Sequence, residues 1–195
     1  MKTIRLLLAA ATALALAACY PPTTTHPVGS TIGFKSDPSL IGLWKARSAD
    51  PEDKTFYYYH LLHEKDGSIL LVAVPGNGEA SEVTMFKGKV ARFGNFGILN
   101  ARAMMDIEHE APDQPPGTVP VLYRFEANGT LKLFLLDEDA TKNAIKVHKI
   151  AGTVGTSGND DAVITADSAT LDNFFRGRAG LALFEKPFSI LTKVK

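Results

Sequence analysis

The stretch VPVLYRFEANGTLKLFLL, residues 119–136, carries the clearest structural pattern in the chain. Its apolar residues recur at every second position, as on one face of a β-strand: Val119, Val121, Tyr123 and Phe125, then Leu131, Leu133 and Leu135. Asn128-Gly129 between the two runs is typical of a two-residue type I′ turn. The stretch therefore predicts a β-hairpin with one buried face.

The rest of the globular part repeats this pattern of short apolar runs and tight turns. Asp66-Gly67 and Gly94-Asn95 predict two more hairpins. Further strands are predicted at residues 41–47, 55–63, 68–74, 82–92, 96–105 and 186–195. Only residues 137–152 and 168–180 show helical signals. Because closing a sheet removes its exposed edges, we expect a mainly β fold: an antiparallel barrel or half-barrel of about eight strands with two short helices.

The N-terminal residues are typical of an exported protein. Lys2 and Arg5 precede an apolar run, residues 6–18, which is shorter than the ~20 residues of a membrane-spanning helix. We interpret residues 1–18 as a signal peptide. On the simplest interpretation this is an ordinary secretory signal, and Cys19 is incidental.

The sequence Leu16-Ala17-Ala18-Cys19 resembles the lipobox of bacterial lipoproteins. The resemblance implies that the Cys19 thiol takes a diacylglycerol, that acyl chains such as palmitate anchor the protein, and that Cys19 becomes the first mature residue. It would also explain the cysteine count, because a single cysteine cannot form an internal disulfide. Since Tyr20 rather than Asp follows Cys19, the same resemblance implies an outer-membrane lipoprotein that faces the periplasm.

Two further segments follow the signal peptide. Residues 19–38 are rich in Pro, Thr, Ser and Gly, and we predict a lipidated cysteine and a flexible tether that could reach ~60 Å. Residues 39–195 are predicted to form a single barrel-like domain, which is long enough to bury a core without disulfides. Once Lys2 and Arg5 are removed, 19 basic residues remain against 21 acidic ones. This balance gives no reason to expect nucleic-acid binding.

Gly42-Leu43-Trp44 near the first predicted strand resembles the Gly-x-Trp motif of lipocalins. In that family the tryptophan closes one end of the barrel. The order of elements from Leu40 to Lys195 also resembles small, uncharacterised lipocalin-like lipoproteins of bacteria, which have DEDA before a helix and a final FEKP strand. The resemblance implies a cup for a small hydrophobic or lipid-like molecule, although an ordinary core tryptophan would give the same motif.

Aromatic side chains are the candidates for binding such a ligand. An eight-stranded barrel either fills its interior with side chains or holds one small ligand, and tyrosine hydroxyls could orient that ligand. Tyr57 and Tyr59 share one face of their strand, while Phe56 and Tyr58 share the other. One pair is therefore expected to line a cavity or to form a surface patch. The predicted ligand-binding residues are Trp44, Phe56, Tyr57, Tyr58, Tyr59 and Tyr123.

No catalytic or metal-binding signature accompanies these aromatics. His60 and His63 lie three apart, which on a strand places them on opposite faces rather than at one metal. The acidic residues at 106–113 and 137–139 are typical of a solvated loop and a helix N-terminus. The sequence contains neither a Gly-x-Ser-x-Gly elbow nor a P-loop. We therefore predict a protein that is not an enzyme and holds no cofactor or metal.

Two functions remain open at this stage, with an enzyme as a weaker third. One is an envelope protein that binds a small hydrophobic molecule in its cup. The other is a non-enzymatic docking module for another envelope protein. An internal cavity that faces one open barrel end would favour the first, and a filled core with a contiguous exposed apolar patch would favour the second.

Overall fold

Eight antiparallel strands close into a barrel in the computed structural model, which describes residues 21–76, 83–112, 117–155 and 162–194. The described residues form eleven strands, eight in the barrel and three in a small separate sheet. They are β1 Thr23–Thr24, β2 Gly42–Ser48, β3 Phe56–His63, β4 Ile69–Pro75, β5 Thr84–Phe93, β6 Phe96–Met104, β7 Val119–Phe125, β8 Leu131–Phe134, β9 Gly152–Val154, β10 Ala162–Ile164 and β11 Pro187–Lys193. The ring runs β11-β2-β3-β4-β5-β6-β7-β8 and closes between β8 and β11. The predicted antiparallel eight-stranded barrel is confirmed, and it is closed.

The hairpin at residues 119–136 forms as predicted, but its turn differs. β7 and β8 pair from Leu122 opposite Phe134 to Phe125 opposite Leu131. Gly129 has a φ of 80°, whereas Asn128 has a negative φ, so the turn is not type I′. The Gly129 N–H donates to the carbonyl of Glu126 (3.0 Å), which gives a type I turn followed by a left-handed glycine. The Asn128 side chain instead accepts from the Thr130 N–H.

Alternation along the strands creates two hydrophobic cores. The inner core fills the barrel and is built from inward-facing residues such as Trp44, Leu61, Val90, Tyr123 and Leu191. The outer core lies between the barrel and the helices that cover it. Ile98, Leu122 and Phe134 contribute to it from the outer surfaces of β6, β7 and β8.

Three short helices pack on that side of the barrel: α1 Glu138–Lys146, α2 Ser168–Arg176 and α3 Arg178–Leu181. Asp137 and Asp167 cap the first two by accepting from backbone N–H groups. Both predicted helices are therefore present, but the second is interrupted at Gly177, whose extended backbone separates α2 from α3. Among the described residues, no helix is long and apolar enough to cross a membrane.

The segment from residue 21 to Leu40 is packed on the barrel. β1 pairs with β10 in a small sheet with β9, and Thr24 exchanges two backbone hydrogen bonds of 2.9 Å with Thr118 before β7. Val28 is fully buried. The prediction of a flexible tether is therefore wrong for residues 21–38, while Cys19 and the predicted signal peptide lie outside the described residues.

Two buried side chains hold this segment in place by satisfying its backbone. Asn100 accepts from the Val28 N–H (2.7 Å) and donates to its carbonyl (2.8 Å). The carboxylate of Asp172, on α2, accepts from the N–H groups of Gly29 and Thr31. Gly29 has a φ of 92° and passes so close to the barrel that a Cβ there would lie 2.0 Å from the Cβ of Ala91. Side-chain hydrogen bonds to its backbone thus hold this segment on the barrel, although its sequence has no periodic apolar pattern.

Candidate ligand-binding cup

Trp44 closes one end of the barrel, which we call the closed end. Its side chain is 1% exposed, and its Nε1–H donates to the carbonyl of Leu40 at 2.8 Å. The ring lies 6.1 Å from that of Phe125, and the ammonium of Lys193 stands 5.2 Å from its centre. The expectation that Trp44 is buried is confirmed.

A buried carboxylate completes the closed end. Asp37 accepts from the Tyr123 hydroxyl at 2.7 Å and from Arg92 at 2.6 Å, and it also caps the short 3-10 turn Pro38–Leu40 through Ser39. Burial raises the pKa of Asp37, but hydrogen bonds from Ser39 and Tyr123 and the charge of Arg92 outweigh it and hold the pKa below its usual range. Burial, reinforced by the hydrogen bond to Asp37, raises the pKa of the Tyr123 hydroxyl. Both groups therefore keep the charge states that their hydrogen bonds require at neutral pH.

The opposite end, where β3 begins and β4 ends, is more open, and we call it the mouth. Inward-facing residues become more exposed toward it along two of the strands. On β3 the exposed fraction rises from 3% at Leu61 to 37% at Tyr57, and on β8 it rises from 0% at Leu131 to 8% at Leu133. Leu71 and Leu99 are 8% exposed, and Ala73 and Ala101, which lie nearer the mouth, are 6% and 5% exposed. Solvent therefore reaches the rim of the upper half of the barrel at Tyr57, whereas the inward residues below the rim are buried.

The wall of this upper half is apolar, with few polar groups. The small residues Ala73 and Ala101 face inward on β4 and β6, and Val121 continues the wall on β7. On β3, burial raises the pKa of the Tyr59 hydroxyl, and the nearby side chain of Ser189 partly offsets this shift. We call the mouth and the wall below it the cup. Its chemistry suits a hydrophobic molecule with at most one hydrogen-bonding group inside.

The structure separates the six predicted ligand-binding residues into three places. Trp44 and Tyr123 belong to the closed end, where their polar atoms are already hydrogen bonded. Tyr57 and Tyr59 face the cup, with ring centres 6.3 Å apart. Phe56 and Tyr58 lie on the outer surface of the same strand, because successive side chains on a strand point to opposite faces. Only Tyr57 and Tyr59 of the six therefore face the cup. The prediction does not hold for the other four, Phe56, Tyr58, Trp44 and Tyr123, which lie elsewhere.

Sequence analysis missed several residues that shape the two ends of the barrel. Asp37 and Arg92 are far apart in the chain and carry no motif, so only the fold shows that they pair. The small side chains of the wall, such as Ala73 and Ala101, are inconspicuous in a sequence. The inward alternation of Ala73 with Leu71 on β4 was nevertheless readable, and it would have indicated a wall with little bulk near the mouth.

A separate groove of about 710 Å³ lies on the outer surface of β5 and β6. Its charged groups are largely paired with one another: Lys87 with Asp66 at 3.4 Å and Arg102 with Glu110 at 2.6 Å. No group of three His, Cys, Asp or Glu side chains in the described part of the chain could hold a metal ion. Comparison with known proteins finds no family model, no curated protein and no solved structure that matches the chain.

Proposed function

We propose that this protein is a membrane-anchored lipoprotein of the bacterial envelope that binds a small hydrophobic or lipid-like molecule in the upper half of its barrel. The observation that carries the proposal is the gradient of exposure along the inner wall. Leu131 at the closed end has no exposed surface, whereas Tyr57 at the mouth is 37% exposed. The Gly-x-Trp resemblance supports the same function, because Trp44 lies at one end of a closed barrel.

Ligand binding can be tested with two matched pairs of substitutions on one strand. We expect the mature chain carrying Cys19→Ser to bind the fluorescent fatty acid cis-parinaric acid saturably. The inward pair Tyr57→Ala and Tyr59→Ala should weaken binding by ~10-fold, because the ligand loses two aromatic walls. Fluorescence titration measures the dissociation constants, and circular dichroism checks that both variants stay folded.

The outward pair Phe56→Ala and Tyr58→Ala serves as the control, since it removes similar side chains from the same strand. It should leave fatty-acid binding within ~2-fold of the parent, a difference well below the tenfold step of ~1.4 kcal/mol. Equal losses in both pairs, or no saturable binding to the folded parent, would count against the cup.

The proposed anchor is the acylated Cys19, a residue in the lipobox-like sequence that ends the apolar run. Two or more acyl chains hold a protein to a bilayer lastingly, whereas one does so only marginally. Cys19→Ser should therefore release the protein from membranes or leave its precursor uncleaved. Fractionation and intact-mass measurement check this. A Cys19→Ser protein that is processed and still sediments with membranes like the parent would show that acylation is not its anchor.

A further inference from the structure

One half of the barrel exterior keeps apolar side chains in contact with solvent. The helices, the small sheet and the N-terminal segment pack on β5 to β8. On the other half, Leu43, Tyr58, Val74 and Phe188 are between 36% and 40% exposed. We call this half the uncovered face and define it by outward residues of four adjacent strands that are not buried: Phe188, Ile190 and Thr192 of β11, Leu43, Lys45 and Arg47 of β2, Phe56, Tyr58, His60 and Leu62 of β3, and Val72 and Val74 of β4.

The charge of the uncovered face has one sign. Lys45 and Arg47 stand side by side along β2, and the Lys45 ammonium lies 4.3 Å from the centre of the Phe56 ring. None of the residues that define the face carries a carboxylate. The nearest acidic residues along the chain, Asp50, Asp53, Glu64 and Glu185, come before or after the strands of the face. Glu126 shares a groove with Arg47, Ile190 and Thr192 at the edge of the face, where it is paired with Arg124 and Lys132 at 3.4 Å. An apolar surface with a cationic centre is complementary to apolar side chains around one or more carboxylates.

The same charge pattern argues against a second copy of this chain as the occupant. A two-fold symmetric contact brings each surface residue near its own counterpart around the axis. Centred on β2, it would bring Lys45 and Arg47 of one copy against the same residues of the other. Burying like charges without a counter-charge is costly, so self-association through this face is disfavoured.

The position of the N-terminal segment argues against a lipid bilayer as the occupant, a step that rests on the proposed anchor at Cys19. Thr24 is hydrogen bonded to Thr118 at the start of β7, and Pro22 is buried. β7 stands four places from β3 in a ring of eight strands, directly across the barrel. Cys19 is two residues before Pro21, so their Cα atoms are at most ~7.6 Å apart. If Cys19 carries the anchor as proposed, the lipid is attached near the side of the barrel across from the uncovered face.

We propose that the uncovered face docks a protein of the envelope whose contact surface places carboxylates among apolar side chains. Leu43, Tyr58 and Val74 supply the apolar contact, with Tyr58 as the aromatic anchor near its centre. Lys45 and Arg47 pair with the partner's carboxylates and set the orientation of the complex. This site is separate from the cup, because outward and inward residues of β3 lie on opposite faces of the barrel wall.

Site-specific photocrosslinking in the native cells tests this directly. The full-length chain carries p-benzoylphenylalanine in place of Tyr58, and a control chain carries it in place of Asn173, which is exposed on α2. We expect a discrete adduct with another protein from position 58 and none from position 173. The adduct's second component is then identified by mass spectrometry and purified.

Charge reversal shows whether that protein binds as proposed. Lys45→Glu with Arg47→Glu should weaken its binding to the mature Cys19→Ser chain by ~10-fold or more, since like charges then face each other. Lys146→Glu with Lys149→Glu makes the same change in net charge at exposed positions away from the face, and it should leave binding within ~2-fold.

Four results would each overturn the proposal. An adduct of twice the chain's own mass would mean that a second copy occupies the face. Binding of the Cys19→Ser chain to vesicles of phosphatidylethanolamine and phosphatidylglycerol, lost on reversal of Lys45 and Arg47, would mean that a membrane does. No adduct from position 58, or the same adduct from position 173, would mean that the face is not a docking site. None of these results depends on fatty-acid binding in the cup.

Discussion

Trp44→Ala is expected to lower the free energy of unfolding by ~3–5 kcal/mol, the range for emptying a large buried aromatic site. The indole is 1% exposed and packs against Phe125 beneath Lys193. Its removal also leaves the carbonyl of Leu40 without the Nε1–H donor that now lies at 2.8 Å. The neighbouring strands cannot collapse into the gap, because the closed barrel fixes their spacing. Urea titration of the mature Cys19→Ser chain measures the change.

Two further substitutions serve as controls, because they compare the loss of stability at the closed end with the loss at the mouth. Trp44→Phe keeps part of the ring but loses the donor to Leu40, and we expect a loss of ~1–3 kcal/mol. Tyr57→Ala removes an aromatic residue that is 37% exposed, so it should cost less than ~1 kcal/mol. If Trp44→Ala cost no more than Tyr57→Ala, Trp44 would not be the plug of the barrel.

The second large effect is expected from a bulky side chain introduced on the inner wall of the cup. Ala101 faces inward on β6, opposite Gly88 on β5, and is 5% exposed. Ala101→Phe would place a phenyl ring in the part of the barrel proposed to hold the ligand. We expect it to weaken binding of cis-parinaric acid ~100-fold or more, equivalent to ~2.8 kcal/mol. Fluorescence titration measures the loss, and urea titration shows whether the variant remains stable.

Ala46→Phe is the matched control for this substitution, because Ala46 also faces inward but is only 1% exposed. A ring inserted there has no free space, so we expect overpacking to cost ~1–3 kcal/mol of stability. Ala101→Phe should be tolerated better than Ala46→Phe. If both substitutions were equally destabilising, the barrel would be as tightly packed near Ala101 as near Ala46, and the cup would have no room for a ligand.

Alternation and turn chemistry were sufficient to predict the barrel. The hairpin of β7 and β8 places Tyr123, Leu131 and Leu133 inside, as their two-residue period predicts. Closure was predictable only as a way to remove sheet edges, since the pairing of β8 with β11 joins strands more than 50 residues apart in the sequence. The predicted type I′ turn was wrong because an Asn-Gly pair also suits a three-residue loop, in which only Gly129 needs a positive φ.

The N-terminal segment shows where composition misleads. Its Pro and Thr residues form no periodic apolar face, yet Val28 is fully buried and Asn100 and Asp172 bond its backbone. Those two partners are 72 and 143 residues away from their targets, Val28 and Gly29, so no local pattern could reveal them. The same distance in sequence hid the pairing of Asp37 with Arg92 at the closed end.

The aromatic run at Phe56–Tyr59 shows how much of the candidate site was predictable. Strand periodicity correctly separated Tyr57 and Tyr59 from Phe56 and Tyr58. Which pair faces inward is decided by the closed barrel, whose inner core includes Tyr59. The outward pair stays uncovered because the helices pack on β6 to β8 rather than on β3. The sequence could therefore state the alternatives, and the fold assigns the first pair to the cup and the second to the uncovered face.

Native mass spectrometry tests the central claim most directly, on the protein purified from its own envelope in a mild detergent. The account predicts that the acylated chain carries one small hydrophobic molecule, which is released on unfolding and is missing from the Ala101→Phe variant. If the parent and the variant both showed only the mass of the acylated chain, with no bound molecule and no saturable uptake of added fatty acid, the cup would not be a binding site.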